Sequence, residues 1–233
     1  MNQYTIVIPC YNESDSLPEL IDQLNKLSSN FNFILVDNGS TDNTQNILNN
    51  LEISENIMLI KKDINTGYGA GIKFGLNKVE TKYSGWMHAD LQQNAKVLLN
   101  AKKIIDNFKE KDHHKFLALK GLRSGRSFSE NLFTCGVALI CSFLFFRKCW
   151  DIAGQPNIFK TSSLQFIDSA PDNHNFEFYV YLHYIISKGK FIRFNAPFYK
   201  RKFGISSWDK GFRSKLNHSK NILKYIFYFK FNH

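Results

Sequence analysis

Three polar side chains follow one apolar segment in the stretch WMHADLQQ, residues 86–93. His88, Asp90 and Gln92 alternate with small or apolar residues, so an extended chain would place all three on one side. Imidazole, carboxylate and amide groups are all used as ligands of divalent cations. The alternative is a strand end followed by the cap of a helix, and this stretch alone leaves both interpretations open.

Further polar groups follow other apolar segments of the first 126 residues. Tyr11, Asn12 and Glu13 come after YTIVIP at 4–9, and Asp37 ends the run FNFILVD at 31–37. Arg123 and Arg126 come just after the apolar run at 115–121. Guanidinium forks match phosphate oxygens, although a pair of surface arginines is the alternative for these two.

The spacing of apolar residues predicts the elements that must position these groups. Short apolar runs predict strands at 4–9, 31–37, 56–62, 85–90 and 115–121, and helical spacing predicts four intervening helices, the last at 94–109. This alternation predicts a mostly parallel sheet covered on both faces. Sites in such sheets lie beyond the carboxyl ends of the strands. The polar groups fall at those ends, which indicates one composite site.

The alternation weakens after residue 121. Residues 131–146 contain no charged side chain, but these 16 residues fall short of the roughly 18–20 that span a bilayer. We interpret the segment as a buried helix, with a membrane-contacting helix as the alternative. A further apolar helix is predicted at 175–187, and a strand with an extended turn at 190–202.

The net charge of +10 arises from the end of the chain. From Lys188 onward there are 12 Lys or Arg and one acid, Asp209, whereas the first 187 residues are almost neutral. Such a basic segment favours an anionic partner such as phosphate or acidic lipid. Residues 218–231 combine lysines with apolar residues and predict an amphipathic helix on a membrane surface. A helix packed on the domain, or a dimer contact, is the alternative.

Composition excludes several other classes of protein. With 43% hydrophobic and 21% charged residues, the chain is expected to fold. Its four cysteines form no C-x-x-C pair, so neither a zinc site nor a disulfide framework is indicated, and reduced cytosolic thiols are expected. The start MNQYTIVIPC predicts no signal peptide. The acidic groups at the strand ends would repel a nucleic acid backbone, so no nucleic acid partner is expected.

The motifs together resemble a known family. TIVIPCYNE, ILVDNGSTDNT, NTGYGAGIKFGL and HADLQQ, followed by GLRSGR, DIAGQPNIF and RKFGISSW, are similar in kind and order to glycosyltransferase family 2 of the inverting GT-A type. Within it, the dolichol- and polyprenol-phosphate sugar transferases are the most similar. The resemblance spans nearly the whole chain, and the ordered set is far more specific than any one motif. It implies a GT-A (Rossmann-like) α/β domain over 1–209 and a basic amphipathic helix over 210–233.

The resemblance also implies substrates and site residues. These are a nucleotide-diphosphate sugar, a divalent cation (Mg²⁺ or Mn²⁺) held by Asp90 and Gln92, and a polyprenyl phosphate at the cytosolic face of a membrane. Asp90, Asp151, Arg123 and Arg126 would act in catalysis, with the arginines on the acceptor phosphate and Asp151 as a base or a ligand of a sugar hydroxyl. The residues implied in nucleotide-sugar binding are Pro9, Tyr11, Asn12, Glu13, Asp37, Gly67, His88, Ala89, Asp90, Gln155, Arg201 and Ser206.

His88 departs from the family pattern, which usually has Asp-Ala-Asp where this chain has His-Ala-Asp. The histidine could ligate Mn²⁺, bond to the donor or replace an acid that is not a ligand. Besides lipid-phosphate transfer in cell-envelope polysaccharide biosynthesis, two functions therefore stay open. One is the same donor chemistry on a glycan or other hydroxyl acceptor, and the other is a non-catalytic nucleotide-sugar-binding relative. For lipid-phosphate transfer, a homodimer or a separate membrane partner is also expected.

Overall fold

A computed structural model describes residues 2–108, 117–204 and 212–232. Within these ranges one sheet of seven strands is flanked by seven α-helices. In chain order they are β1 (Tyr4–Cys10), α1 (Leu17–Asn25), β2 (Asn32–Asn38), α2 (Thr44–Asn50), β3 (Ile57–Lys62), α3 (Tyr68–Leu76), β4 (Tyr83–Trp86), α4 (Val97–Asp106), β5 (Leu117–Ser124), α5 (Phe128–Phe145), β6 (Asn157–Lys160), α6 (Phe176–Ile186), β7 (Lys190–Pro197) and α7 (Phe212–Asn232).

The strands lie in the order β3-β2-β1-β4-β6-β5-β7. Strands β1 to β4 are parallel to one another, β6 runs antiparallel to both β4 and β5, and β5 pairs in parallel with β7. The predicted mostly parallel sheet is confirmed. Strand β6 was not predicted, because four residues are too few to show the alternation of side chains that identifies a strand.

Successive side chains of β1 enter two different cores, as the alternation of a strand requires. Ile6 and Ile8 pack with α1 and α4 on one face of the sheet. Val7 packs on the other face, in the core that contains residues of α3, α5, α6 and α7. The carboxyl ends of β1, β2 and β4 are thereby held at one edge of a sheet buried on both sides.

The prediction of a strand at 85–90 is wrong at its C-terminal end. Strand β4 ends at Trp86, and His88 to Gln92 lie in a turn. Leu91 has φ +57°, so the chain does not continue in extended form. The alternation from which we inferred a shared side for His88, Asp90 and Gln92 therefore does not exist. A turn brings them to the same place.

The two helices considered for membrane contact differ in how they meet the protein. Helix α5 is only partly buried, contrary to the interpretation of 131–146 as a buried helix: Val137 and Cys141 face the core, whereas Leu139 and Phe143 are exposed. Helix α7 starts earlier than predicted and buries Ile222, Ile226 and Phe229, as the packed alternative required. No helix in the described parts of the chain is both long and apolar enough to cross a membrane.

Candidate active site

A cavity of about 730 Å³ opens beyond the carboxyl ends of β1 and β4. It collects residues from the first strand end, the turn after β4, β5, the N-terminal half of α5 and the segment after β7. The predicted site residues that line it are Pro9, Tyr11, Asn12, Glu13, Gly67, His88, Ala89, Asp90, Gln92, Arg123, Arg126, Gln155 and Arg201. Residues as distant in sequence as Pro9 and Arg201 thus line one cavity.

Two of the predicted site residues within the described ranges are not in this lining. Asp37 and Asp151 lie behind the wall and are 3% exposed each. The next residue after Asp37, Asn38, does line the cavity. Ser206 lies outside the described residues, so its predicted role stays a prediction.

The loops after β1 and β2 are tied together by hydrogen bonds. The Asn12 backbone N–H donates to Ser40 Oγ (3.1 Å), and the Thr41 N–H donates to Asn12 Oδ1 (2.8 Å). Asp37 accepts from the Ser40 N–H through Oδ1 (2.9 Å), while its buried Oδ2 has no partner. An unsatisfied buried carboxylate oxygen is costly, and a donor group on a bound molecule would relieve that cost.

Glu13 joins the start of the chain to the segment after β7. Its carboxylate forms an ion pair with Arg201 and accepts from Ser16 Oγ (3.1 Å). The Ser16 hydroxyl is thereby used by Glu13 and does not cap α1. Burial raises the pKa of Glu13 despite the opposing charge of Arg201, and the negative charge of Asp90 adds to the rise. Asp90 therefore lies within electrostatic reach of the Glu13–Arg201 pair.

The turn after β4 is closed by Asp90 itself. The Gln92 N–H donates to Asp90 Oδ1 (3.1 Å), and Gln92 also exchanges hydrogen bonds with Tyr199, whose N–H donates to the Gln92 backbone oxygen (2.7 Å). No cluster of three or more His, Cys, Asp or Glu side chains suited to a metal occurs among the described residues. One carboxylate and one amide oxygen suit a cation that arrives with substrate phosphates, rather than an all-protein cage.

His88 takes part in an aromatic stack in the cavity wall. Tyr68 lies between the rings of His88 and His174, with centroid distances of 5.2 and 5.3 Å. The Tyr68 hydroxyl accepts from Gln155 Nε2 (2.5 Å) and donates to Glu177 Oε1 (3.2 Å), which fixes the stack. Desolvation, followed by the charges of His88 and His218, lowers the pKa of His174 to about 4. His88, which stands where the family pattern has an acid, thus adds an aromatic ring to the cavity wall.

A further part of the cavity lining is basic and apolar. Arg123 and Arg126 both lie over the ring of Phe198, at 5.7 and 5.8 Å. Arg126 donates to Thr134 Oγ1 (2.7 Å), and its buried Nε has no partner. Burial and then the charge of Arg123 lower the pKa of Arg126. An anion bound here would satisfy the open donor and relieve the repulsion between the two guanidinium groups. Apolar side chains line the same part: Phe133, Val137 and Ile152.

Asp151 holds Arg123 in place. It accepts from the Arg123 backbone N–H (3.0 Å) and from Nε (2.9 Å), and it forms an ion pair with Nη2. Burial alone would raise the pKa of Asp151, but the charge and hydrogen bonds of Arg123 outweigh it and lower the pKa. A buried carboxylate with a lowered pKa, whose oxygens are engaged by Arg123, is poorly suited to be the base that the sequence suggested.

Glu177 was not among the predicted site residues, although it belongs to the cavity wall. Its carboxylate accepts from Trp86 Nε1 (2.6 Å), Gln155 Nε2 (2.7 Å) and Asn157 Nδ2 (3.2 Å), and Lys120 Nζ lies 3.6 Å away. Burial lowers the pKa of Lys120 to about 8, although the charge of Glu177 opposes the shift. A single acid within the otherwise apolar stretch at 175–187 was the signal that could have identified it.

Comparison with protein families gives a match over residues 5–114, to the family described as Glycosyl transferase family 2. Among curated proteins, the chain is similar to undecaprenyl-phosphate 4-deoxy-4-formamido-L-arabinose transferase of Proteus mirabilis (strain HI4320), at 35% identity over 98 residues. This alignment covers 40% of the chain and 30% of that relative, so the chain spans less than a third of the relative's length.

Solved structures share the fold at low sequence identity. Glucosyl-3-phosphoglycerate synthase from Mycobacterium tuberculosis, in complex with Mn²⁺, uridine diphosphate and glucosyl-3-phosphoglycerate, has a TM-score of 0.70 at 13% identity, covering 95% of this chain and 77% of that one. TarS from S. aureus, in complex with UDP-GlcNAc, has a TM-score of 0.56 at 20% identity, covering 90% and 63%. The architecture is that of the GT-A glycosyltransferases, with a mostly parallel sheet between layers of helices.

Proposed function

The chain contains a glycosyl transferase family 2 domain over residues 5–114, and from this premise we propose that the protein is an inverting glycosyltransferase. It moves a sugar from a nucleotide-diphosphate sugar to a polyprenyl phosphate at the cytosolic face of a membrane. The undecaprenyl-phosphate transferase relative supports a lipid-phosphate acceptor. The synthase structure with Mn²⁺ and uridine diphosphate supports the donor class and a divalent cation.

One observation carries the proposal: two groups of residues with different chemistry line a single cavity. The first group, called the donor end, contains Glu13, Asp90 and the loops after β1 and β2, and the second, called the acceptor end, contains Arg123 and Arg126 beside apolar side chains. Carboxylates and loop amides suit the ribose, the base and a cation-bound diphosphate. Paired guanidinium groups beside apolar surface suit a phosphate that carries a hydrocarbon chain.

At the donor end, each residue has a role that its contacts support. Asn38 lines the cavity directly after the buried Asp37, and Tyr11 offers an exposed ring against the base. Arg201, held by Glu13, provides positive charge where the diphosphate leaves. Asp90 and Gln92 would hold Mg²⁺ or Mn²⁺ together with the diphosphate, and the cation would neutralise the charge that develops on the leaving group.

At the acceptor end, a phosphate oxygen is the nucleophile. Arg126, with its unsatisfied Nε, and Arg123, oriented by Asp151, bind the phosphate and aim the oxygen at the anomeric carbon. The nucleoside diphosphate leaves from the opposite face, which inverts the configuration. Because a phosphate monoester is already ionised near neutral pH, the reaction needs no strong general base.

Transfer to a hydroxyl group is the second candidate, and it would require a carboxylate base near the sugar. Asp151 is held by Arg123, and Asp172 is paired with Lys73 at 2.7 Å and is not in the cavity lining. Glu177 does line the cavity, but it already accepts four hydrogen bonds and faces Lys120. These contacts favour the phosphate acceptor. The aromatic His88 wall motivates the third candidate, a non-catalytic protein that binds nucleotide sugars.

A donor and acceptor screen tests the proposal. The full chain is incubated with labelled nucleotide sugars, polyprenyl phosphate and Mn²⁺ or Mg²⁺, and we expect label in the organic phase. Hydrolysis of the donor without labelled lipid would favour a hydroxyl acceptor. Tight nucleotide binding with no turnover of any donor would favour the non-catalytic alternative.

A further inference from the structure

Helix α5 carries a stripe of large apolar side chains that no other described part of the chain covers. Five residues that are 62–83% exposed form this α5 stripe: Phe128, Leu132, Leu139, Phe143 and Phe146, the last being the cap residue. With about 100° between successive residues of a helix, the five project within an arc of roughly 60°. Soluble surfaces rarely expose a continuous apolar strip of this kind without a partner.

The stripe is long, and the rest of the helix is already used. From Phe128 to Phe146 it extends for roughly 27 Å along the helix. The opposite side of α5 buries Val137, Ala138 and Cys141 in the core. Between the two sides, Phe133 and Thr134 line the cavity near Arg126. A single helix therefore has one face in the core, one edge in the cavity and one apolar face directed outward.

The charges at the end of the stripe are positive. Arg147 and Lys148 follow it directly and are exposed. Lys230 of α7 lies over the rings of Phe145 and Phe146, at 5.5 and 6.0 Å. The one acid of α5, Glu130, is used in the capping box with Ser127 at the other end of the helix. Apolar rings bordered by cations match the boundary between the acyl chains and anionic headgroups of a bilayer.

We propose that the α5 stripe is the docking face for an anionic lipid bilayer, with α5 lying in the plane of the headgroups. Phe128, Leu132, Leu139, Phe143 and Phe146 insert among the acyl chains, and Arg147, Lys148 and Lys230 bind lipid phosphates. The cavity edge formed by Phe133 and Thr134 then meets the membrane, so that a lipid acceptor enters sideways along the helix. The entry route depends on the proposed function, but the docking face does not.

A second copy of the chain is the competing occupant of the stripe. Parallel pairing of α5 from two copies would bring Arg147, Lys148 and Lys230 of each together, and in any orientation both copies carry a net charge of +10. Like charges at an interface oppose association, whereas the same cations are attracted to anionic lipid. Charge complementarity therefore favours the bilayer.

Vesicle sedimentation tests the docking face. The full chain and its Leu139→Asp/Phe143→Asp variant are sedimented with vesicles of phosphatidylglycerol or phosphatidylcholine. We expect the wild type to favour phosphatidylglycerol and the variant to lose about tenfold or more in affinity, because buried apolar area drives such binding. The matched control is Ile64→Asp, which places an acid at another exposed apolar residue and should bind like the wild type (Ile64 is 71% exposed).

The outcomes of these experiments distinguish a lipid bilayer from a second copy of the chain as the partner of the α5 stripe. Unchanged sedimentation of the double variant would overturn the proposal. A wild-type dimer in analytical ultracentrifugation that the double variant loses, without vesicle binding by either protein, would assign the stripe to a second copy. Thermal unfolding of both proteins confirms that the exposed substitutions leave the fold intact.

A water-soluble acceptor separates this inference from the proposed function. With a short-chain polyprenyl phosphate and no vesicles, the double variant should transfer sugar at the wild-type rate, while its transfer to long-chain lipid in vesicles falls about tenfold or more, in line with its lost binding. An equal loss with both acceptors would contradict docking as the role of the stripe. Absence of transfer by the wild type, with vesicle binding retained, would refute the proposed function and leave the docking face standing.

Discussion

The part of the molecule that matches the family and the part that follows it contribute different kinds of groups to the cavity. Residues 5–114 contain four parallel strands, and their end loops are joined by short hydrogen bonds such as that from Thr41 to Asn12. Residues 117–204 contribute the reversed strand β6, the arginines of the cavity and the buried Lys120–Glu177 pair. In the proposed function, the first part supplies most of the donor end, with Arg201 from the second part, and the second part supplies the arginines of the acceptor end.

This difference teaches where specificity resides in the protein. A nucleotide diphosphate is common to many donors, so the loops that bind it can be shared across a family. The acceptor end must fit one particular nucleophile, and in this chain its arginines are oriented by distant partners, as Arg123 is by Asp151. We therefore expect substitutions at the donor end to affect every reaction of the enzyme, and those at the acceptor end to affect one substrate.

The largest effect is expected for Asp90→Asn. Loss of the carboxylate should lower the rate of transfer by about two to three orders of magnitude, because the charge on the leaving diphosphate is no longer balanced by a bound cation. Initial rates at saturating donor and acceptor measure the change. The control is Asp15→Asn, an exposed carboxylate outside the cavity lining. A rate within twofold of the wild type would remove Asp90 from the donor end.

The buried Lys120–Glu177 pair should make the stability of the folded protein vary with pH in the alkaline range. The pKa of Lys120 is about 8 in the folded protein, below its usual 10.5, so between these values the unfolded chain binds a proton that the folded chain has released. Stability should rise with pH through this window, by on the order of 3 kcal/mol relative to Lys120→Met.

Denaturant unfolding of both proteins from pH 7 to pH 10.5 measures this change. Comparison with the variant removes the contributions of other groups that titrate in the same range. A stability difference that does not vary with pH would show that Lys120 is not held in a low-pKa environment.

A smaller effect, confined to one substrate, is expected for Arg126→Ala. Loss of the guanidinium should raise the KM for a short-chain lipid phosphate by roughly 10- to 30-fold, the size of one charge-assisted hydrogen bond. The KM for the nucleotide sugar should stay unchanged. Arg126→Lys keeps the charge without the fork and should recover part of the loss, whereas equal changes in both KM values would erase the distinction between the two ends.

The smallest effect is expected for His88→Asp. A second carboxylate in the turn after β4 should strengthen the attraction for a divalent cation, so the Mn²⁺ concentration for half-maximal transfer should fall several-fold. Titration of Mn²⁺ at fixed donor concentration measures it. His88→Asn removes the ring without adding charge and should not lower that concentration. If both variants lower the half-maximal Mn²⁺ concentration equally, then the stacking of His88 on Tyr68 controls it, rather than the missing acid.

The donor end was largely predictable from the sequence, because its groups directly follow strands that the apolar pattern reveals. Tyr11, Asn12, Glu13 and Asp90 each lie within four residues of a strand end. The cause of their convergence was less predictable: the turn at Leu91 replaces the extended chain on which the alternation depended. A backbone reversal of this kind leaves no periodic signal.

The acceptor end was less predictable because its contacts join distant residues. Trp86 and Glu177 are 91 positions apart, and no spacing rule links them. The orientation of α5 was also hidden, since a helix with apolar residues on every side does not show which side meets the core. Helix α7 has the clearer amphipathic pattern, and its apolar side packs against the protein through Ile222 and Ile226.

The position of β6 limits how the protein can be divided. This short antiparallel strand lies between β4 and β5, so the last strand of the family-matching region depends on residues 157–160 for half of its backbone hydrogen bonds. An excised fragment that ends near residue 114 would leave one side of β4 as an open edge, ready to pair with other chains. The region that matches the family is therefore not a detachable module, and grafting it onto another protein would require a replacement strand.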